Sequence, residues 1–347
     1  MKRNHMWIFL VVFFMLAVVI TASLLVKKSG RVREGSETKN REITLRLNWI
    51  PDPTFTGAYI AKSRGFWKNR GIEVKIKQGG MNLDPLRLVT EGTDNFGITG
   101  ADRLLQARTQ GLPVVAVSLE LRDNPVGWIV REDSGIKSFR DLVGKQVGQK
   151  YGSETEAIYD ATVSVLKIDP KTIHVVPVQF SLEPFLNKQV DAFPVYVNEE
   201  PHTVEAKGVK VRIIHPSDYG IGMYGNVLFT LESTVKQDPM LVQSFVDGLL
   251  DGWNASLREQ PDKIAKELIA IEPDMGNVPT EKVLVSTLEL AQGKHVEGKV
   301  PIGWMDTDGW TATYRLLTEH AGLKKELNIG SVFDNGFVEH YYRGAKQ

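Results

Sequence analysis

Short β-rich runs alternate with helical patterns along the chain from Glu42 onward. Runs rich in Val, Ile and aromatic residues, bounded by Gly, Pro and Asn, predict the strands. A first group lies at 43–49, 72–77, 95–99 and 114–119, a second at 127–131, 146–149, 174–177, 192–196 and 211–214, and one more strand at 227–230. Helices begin near Thr56, Asp84 and Ala101, and the chain after Met240 is nearly all helical. This alternation predicts an α/β protein with two largely parallel sheets.

The N-terminus carries a long apolar segment. Residues 6–26 are 21 uncharged residues that follow Lys2 and Arg3. As a helix rising about 1.5 Å per residue they are long enough to cross a hydrocarbon core roughly 30 Å thick. A cleavable signal more often has an apolar run of about 7 to 15 residues. Residues 1–28 are therefore predicted to be a membrane anchor or a signal peptide, with the charged segment 29–41 as a tether.

The composition excludes several classes of function. Lys plus Arg number 42 and Asp plus Glu number 42, so the net charge is zero and no nucleic-acid surface is indicated. The chain has no cysteine, which excludes disulfides, thiolate nucleophiles and Cys-ligated metals. The seven histidines lack close ligand spacing, so no metal site is predicted. The G-x-G-x-x-G match at 220–225 precedes a strand-like run where a dinucleotide site needs a helix, and no cofactor is predicted.

Three strand-to-helix turns carry the residues best placed to bind a ligand. Segments 49–57, 99–102 and 151–156 each follow a predicted strand, and ligands of open α/β sheets collect outside such strand ends. Thr99 with Asp102, and Ser153 with Glu156, have capping-box spacing, and Gly100 allows close approach of the backbone. Free N–H groups at helix starts bind anions. Ordinary helix capping is the alternative at each turn.

Aromatic side chains concentrate in these turns and in two later ones, where they are available to stack on a flat ring. They are Trp49, Phe55, Tyr59, Tyr151, Tyr196, Tyr219 and Tyr224. Core packing is the alternative for each. Glu199 and Glu200 follow a predicted strand end, and they are the carboxylates best placed to accept two hydrogen bonds from an amino-heterocycle. A solvated surface pair is the alternative for these two.

Several dispersed motifs resemble one family in the expected order. They lie at 47–49, 57–67, 71–74, 96–102, 133–138, 141–145 and 216–220. They are similar to the thiamine-pyrimidine-precursor family of ABC-transporter substrate-binding proteins, whose wider membership includes alkanesulfonate binders and eukaryotic synthases of the thiamine pyrimidine. The resemblance implies a type II periplasmic-binding fold with a cleft between two lobes. We expect lobe one at 42–125 plus 227–347 and lobe two at 126–226.

The resemblance also implies a ligand pocket in this sequence. The family's pyrimidine pocket corresponds to Asn48, Trp49, Tyr59, Gly100, Asp102, Asn124, Tyr151, Tyr196, Glu200 and Tyr224. Two positions depart from the family pattern. Phe55 stands where a histidine is frequent, and Glu199 precedes Glu200 where an asparagine is frequent. Both changes favour a flat, cationic or amino-bearing ligand, because an added buried carboxylate opposes an anion.

The predicted function is that of an extracytoplasmic solute-binding protein of an ABC importer. It would bind a thiamine-precursor pyrimidine or related heterocycle and deliver it to a permease and its ATPase at the membrane, without acting as an enzyme. One alternative is an alkanesulfonate- or nitrate-like anion receptor, supported by the helix starts and by Arg103. Another is an enzyme like the eukaryotic synthases, against which the lack of cysteine counts, because those carry a cysteine-rich iron-binding segment.

Overall fold

Ten strands form two five-stranded sheets in the part of the chain that the computed structural model describes, residues 40–80, 82–151, 153–293, 300–323 and 326–344. The strands are β1 Arg41–Arg46, β2 Ile72–Lys77, β3 Phe96–Gly100, β4 Val114–Leu119, β5 Val126–Arg131, β6 Gln146–Gln149, β7 His174–Pro177, β8 Ala192–Tyr196, β9 Val211–Ile214 and β10 Asn226–Leu231. The first sheet has the order β2-β1-β3-β10-β4 and the second β7-β6-β8-β5-β9. The second sheet is therefore inserted between β4 and β10.

Both sheets are mixed, because one strand in each, β10 or β5, runs against the other four; the prediction of largely parallel sheets is confirmed for those four and fails for β10 and β5. β1 is parallel to β2 and β3, and β6 is parallel to β7 and β8. β10 is antiparallel to β3 and β4, and β5 is antiparallel to β8 and β9. β5 and β10 are each the first strand after the chain crosses from one sheet to the other. A strand reached without a helical crossover in its own sheet need not run parallel to its neighbours.

Twelve α-helices accompany the sheets within the described residues. They are α1 Thr56–Ser63, α2 Pro85–Thr90, α3 Ala101–Thr109, α4 Glu154–Val165, α5 Glu183–Leu186, α6 Glu200–Ala206, α7 Glu232–Gln237, α8 Pro239–Arg258, α9 Pro261–Ile271, α10 Thr280–Gln292, α11 Thr307–His320 and α12 Gly336–Gly344. The longest, α8, touches α1 through its backbone, because a Cβ added to Gly252 would lie 2.0 Å from the carbonyl oxygen of Gly57. This close contact holds α1 and the loop before it against the core.

The apolar face of the amphipathic helix α8 is buried in the core. Its apolar residues recur at helical spacing, which predicts a buried face, and each is at most 1% exposed: Val242, Phe245, Val246, Leu249, Leu250 and Trp253. Trp67 and Phe96 pack against Phe245, with ring centroids 5.0 and 3.9 Å away. A second aromatic cluster around Trp128 and Phe139 lies in the core next to the second sheet. The first cluster also includes Ile129, Phe193 and Val195 of the second sheet, so that sheet is packed on by both clusters.

All ten predicted strands are present, and six have the predicted bounds: β2, β4, β6, β7, β8 and β9. The predicted anchor or signal peptide lies outside the described residues. Within the described ranges, no helix is both long enough and apolar enough to span a bilayer. Arg41, predicted as the last tether residue, is the first residue of β1. The lobe limits stay predictions.

Candidate functional site

Acidic side chains follow four strands, two in each sheet. Asp52 comes after β1 and Asp102 after β3 of the first sheet, whereas Glu154 comes after β6 and Glu199 after β8 of the second. The carboxyl ends of parallel strands are where α/β proteins collect ligand-binding groups. Together with Glu200 these residues are called the acidic cluster below. Its members repel one another electrostatically across the two sheets, Asp102 with Glu154 and Asp52 with Glu199.

One end of the acidic cluster is formed by Asp102 and Glu154. Asp102 is 2% exposed, and its Oδ1 has no hydrogen-bond partner. A Cβ added to Gly100 would lie 2.4 Å from this oxygen and 3.8 Å from Glu154 Oε2, so both carboxylates face the space beside the bare Gly100 backbone. Asn124 Nδ2 donates to Glu154 Oε2 at 3.1 Å. Burial and repulsion from Glu154 raise the pKa of Asp102 to about 7.

Tyr196 spans the acidic cluster from one end to the other. Its hydroxyl donates to Glu154 Oε1, and its backbone N–H donates to Glu200 Oε2 at 2.7 Å. Burial and the neighbouring charges of Glu154, Asp102 and Glu200 raise the pKa of the Tyr196 hydroxyl. The hydroxyl is therefore a proton donor at neutral pH, and it fixes the orientation of the Glu154 carboxylate.

The other end of the acidic cluster contains Asp52, Glu199 and Glu200. Asp52 is 6% exposed, and its Oδ1 accepts the Thr54 N–H at 2.6 Å. Thr54 Oγ1 in turn accepts Asn198 Nδ2 at 3.1 Å, which holds the loop after β1 against the turn after β8. Burial raises the pKa of Asp52 to about 6. Burial and repulsion from Asp52 and Glu200 raise the pKa of Glu199 to about 8.

One buried cation and several rings border this second end. Lys150 is 7% exposed, and its Nζ lies 3.6 Å from Glu200 Oε1. The same ammonium lies 5.1 Å from the ring centroid of Phe180 and 5.3 Å from that of Phe193. Trp49, from the first strand-to-helix turn, packs on Phe180 with ring centroids 4.9 Å apart. An aromatic pair with one ring from each side thus adjoins the carboxylates.

Three further predicted residues follow β1 and lie close to this region or behind it. Asn48 Nδ2 donates to Asn226 Oδ1 at 3.2 Å, and the buried Oδ1 of Asn48 has no partner. Phe55 and Tyr59 are 2% and 4% exposed and belong to the core of α1 and α8. Burial raises the pKa of the Tyr59 hydroxyl. These two rings support the loop that carries Asp52 from behind.

The remaining predicted tyrosines are dispersed. Tyr151 is 61% exposed. Tyr219 packs in the second core, and its hydroxyl accepts the N–H of Phe139 at 2.9 Å. Tyr224 is 5% exposed, and its hydroxyl accepts the N–H of Asp306 at 3.1 Å, while its carbonyl lies 3.5 Å from Asn124 Nδ2. Of these three, Tyr224 is the one that a hydrogen bond connects to Asn124 and so to Glu154.

Sequence reasoning missed several residues that the fold adds to this region: Asp52, Lys150, Glu154, Phe180 and Asn198. Asp52 and Glu154 stand inside the turns that were singled out, so their carboxylates were detectable there. Lys150 and Phe180 carried no local signal. The two predicted capping boxes are also wrong, because the helix caps are Gly100 and Ser153 and neither makes a side-chain cap hydrogen bond. Asp102 is thereby left available to the acidic cluster.

A cavity of about 250 Å³ adjoins this region. Asn124 lines it, together with His202, His215, Met223 and Glu289 among others. Asn124 is the one predicted site residue in its lining, and its Nδ2 also reaches Glu154. The cavity is therefore next to the acidic cluster but is formed by a different set of side chains.

The acidic cluster can accept hydrogen bonds from a positively charged or amino-bearing molecule and opposes an anion. The cluster contains five carboxyl groups and is bordered by one buried ammonium, that of Lys150 beside Glu200, so a further negative charge there is opposed. In the described part of the chain, no group of three or more His, Cys, Asp and Glu residues is placed to hold a metal ion.

A family model described as NMT1/THI5 like matches residues 52–264, more than half of the chain. The chain belongs to this family. Two similar proteins illustrate its range. The 4-amino-5-hydroxymethyl-2-methylpyrimidine phosphate synthase of Legionella pneumophila is 26% identical over 87% of the chain and 94% of its own length. The formylaminopyrimidine-binding protein of Halalkalibacterium halodurans is 25% identical over 84% of the chain and 89% of its own length.

Solved structures place this NMT1/THI5-like chain in the periplasmic-binding-protein fold. The periplasmic aliphatic sulphonate binding protein of Escherichia coli matches with a TM-score of 0.66 and 17% identity, covering 84% of this chain and 91% of its own. The fold expected from the sequence is confirmed in this respect. The prediction that the chain is not an enzyme is corrected, because a relative aligned with most of the chain is named for a synthase. The family relation is compatible with binding and with synthesis.

Proposed function

We propose that this NMT1/THI5-like chain is the solute-binding protein of an ABC importer and acts on the extracytoplasmic side of the membrane. It binds a thiamine-precursor pyrimidine or a related amino-heterocycle and passes it to a permease driven by an ATPase. The N-terminal segment holds it at the membrane or is removed after export. The relative named for binding formylaminopyrimidine supports this proposal.

The observation that carries the proposal is the acidic cluster between the two sheets. Asp102 Oδ1 lacks a hydrogen-bond partner and can accept from a ring amino group, Glu200 Oε1 lies 3.6 Å from the Lys150 ammonium, and Trp49 with Phe180 presents ring faces to a flat ligand. The alkanesulfonate alternative has the fold in its favour. The uncompensated carboxylates count against it, because a sulfonate placed among them would be repelled.

A thermal-shift screen of the purified full-length chain tests the proposal. A ligand present at about 100 times its Kd adds roughly 2.7 kcal/mol to the unfolding free energy, which raises the Tm by several degrees. We expect 4-amino-5-hydroxymethyl-2-methylpyrimidine or its formylamino analogue to produce this shift and alkanesulfonates to produce none. A shift with sulfonates alone would contradict the proposed ligand class.

Removing the charge of Glu200 tests whether its carboxylate contributes to pyrimidine binding. Glu200→Gln keeps the shape but loses a charge-assisted hydrogen bond worth about 1.5 to 3 kcal/mol, so pyrimidine affinity should fall roughly 10- to 100-fold. Glu205→Gln, at an exposed position on the same helix, serves as the control. An anion receptor would instead keep or gain affinity for sulfonates in Glu200→Gln.

Synthesis of the pyrimidine is the second candidate, favoured by the alignment of the Legionella synthase with 87% of the chain. Expression in a bacterial strain that cannot make the thiamine pyrimidine separates the two functions. Growth without any added pyrimidine would support synthesis. Growth that depends on a low supply of pyrimidine, and improves when the chain is present, would support uptake.

A further inference from the structure

The two ends of the acidic cluster are separated by one tyrosine side chain. Tyr196 donates its backbone N–H to Glu200 at one end and its hydroxyl to Glu154 at the other. The Asp102–Glu154 pair therefore lies about as far from the Glu199–Glu200 segment as the two ends of a tyrosine are from each other. A six-membered aromatic ring with one short substituent at each end has a similar length.

The Asp102–Glu154 end has an unused acceptor. Asp102 Oδ1 is buried without a hydrogen-bond partner and faces the same space beside Gly100 as Glu154 Oε2. An orphaned buried carboxylate oxygen is costly unless a donor completes it. Nearby Arg103 is exposed, and its Nη1 donates to Gln106 Oε1 at 3.4 Å, directed along its own helix. Asp102 Oδ1 is therefore open to a donor from a bound molecule.

The other end has more negative than positive charge. Lys150 lies beside Glu200 and compensates that carboxylate. Asp52 and Glu199 remain as a pair of like charges, one from each sheet, held together by the Thr54–Asn198 hydrogen bond. Like charges brought together in a low-dielectric site retain protons or attract a cation. This end therefore also favours a cationic group.

We propose that the acidic cluster selects an aromatic solute with a cationic or strongly hydrogen-bond-donating group at each end, one for Asp102 and Glu154 and one for Asp52 and Glu199. This selectivity rests on the proposed function of binding an aromatic heterocycle, and it narrows the ligand class. A ring with an amino group at one end and an aminomethyl group at the other fulfils it. A ring whose second substituent is a neutral hydroxymethyl group has the required group at one end only.

Two matched ligand pairs test this selectivity by calorimetry at pH 7 with the full-length chain. The first pair is 4-amino-5-hydroxymethyl-2-methylpyrimidine and its 5-aminomethyl counterpart. The second is benzylamine and 1,4-bis(aminomethyl)benzene, which contain no pyrimidine. We expect the second cationic group to tighten binding at least 10-fold in each pair, the effect of about one charge-assisted hydrogen bond.

Asp102→Asn shows whether that gain arises at the predicted end. The amide keeps the shape and removes the charge, so the gain from the second cationic group should fall below about 3-fold. Asp133→Asn, at an exposed position after β5, is the control and should keep the full gain. Glu199→Gln tests the other end independently and should likewise reduce the gain. It also keeps the inference testable if Asp102→Asn fails to fold.

The outcomes separate this inference from the proposed function. If the hydroxymethyl pyrimidine binds and the aminomethyl compound binds no tighter, the inference is overturned and the proposed function stands. If no pyrimidine binds but the bis(aminomethyl) compound exceeds benzylamine 10-fold, the pyrimidine assignment fails and the two-ended selectivity stands. If none of the four binds, both are overturned. A gain that survives in both Asp102→Asn and Glu199→Gln also overturns the inference.

Discussion

Gly100→Ala is a small change that should block one end of the acidic cluster. Gly100 has φ −64° and ψ 145°, which alanine adopts without strain, so the backbone should keep its conformation. The new Cβ would lie 2.4 Å from Asp102 Oδ1, whereas an ordinary contact needs at least 3.4 Å. The carboxylate oxygen must therefore move away by about 1 Å, from 2.4 to 3.4 Å. The methyl group also occupies the space that Asp102 and Glu154 face.

The expected magnitude follows from this displacement. A donor placed about 2.9 Å from Asp102 would be left nearly 4 Å away, beyond hydrogen-bond distance. Loss of one hydrogen bond to a charged group costs about 1.5 to 3 kcal/mol, which corresponds to roughly 10- to 100-fold weaker binding. Folding stability should change by less than about 1 kcal/mol, because replacing glycine by alanine also lowers the entropy of the unfolded chain.

Calorimetric titration with 4-amino-5-hydroxymethyl-2-methylpyrimidine measures the binding effect, and urea unfolding measures stability. Gly276→Ala is the control, because its Cβ would lie 3.6 Å from the nearest atom, on Ile269, in ordinary contact. Both variants should unfold like the parent chain, and Gly100→Ala alone should lose affinity. Affinity within about 2-fold of the parent in a folded Gly100→Ala protein would show that ligands do not use the space beside Gly100.

Three further predictions concern residues away from the space beside Gly100. Burial raises the pKa of Glu120 from 4.5 to about 7. As the pH rises between those values, the contribution of Glu120 to the unfolding free energy therefore falls by up to about 1.4 kcal/mol per pH unit. E120Q should remove this pH dependence in urea unfolding from pH 4.5 to 8, and a pH dependence equal to that of the parent chain would refute the prediction. G252A should lower the Tm, with an overpacking cost of about 1 to 3 kcal/mol against the Gly57 carbonyl oxygen; an unchanged Tm would contradict that contact. Y219F should lose about 1 kcal/mol of stability, because the Phe139 N–H loses its acceptor, while ligand affinity stays at the parent value in calorimetry.

The sequence by itself determined the elements of this protein. Runs rich in Val, Ile and aromatic residues, bounded by Gly, Pro and Asn, identified all ten strands, and the 3.6-residue period of α8 identified its buried face. These signals are local, because the residue types along a short run reflect whether one face or both faces of the element are buried. The dispersed motifs from 47 to 220 also determined the family. Site residues within the turns, such as Asp102, Glu199 and Glu200, were accessible for the same reason.

Only the tertiary structure decided which of these residues meet. Strand direction depends on where the chain crosses between sheets, so the antiparallel β5 and β10 carried no local signal. The proximity of Asp102 to Glu154 and of Trp49 to Phe180 brings together residues that follow strands of different sheets and are far apart in the sequence. Lys150 is a plain lysine in the sequence and becomes a buried counter-ion only when the fold places it beside Glu200. The strength of a charge pair depends on the distance between the two groups in space, and the residues around either one in the sequence do not show that distance.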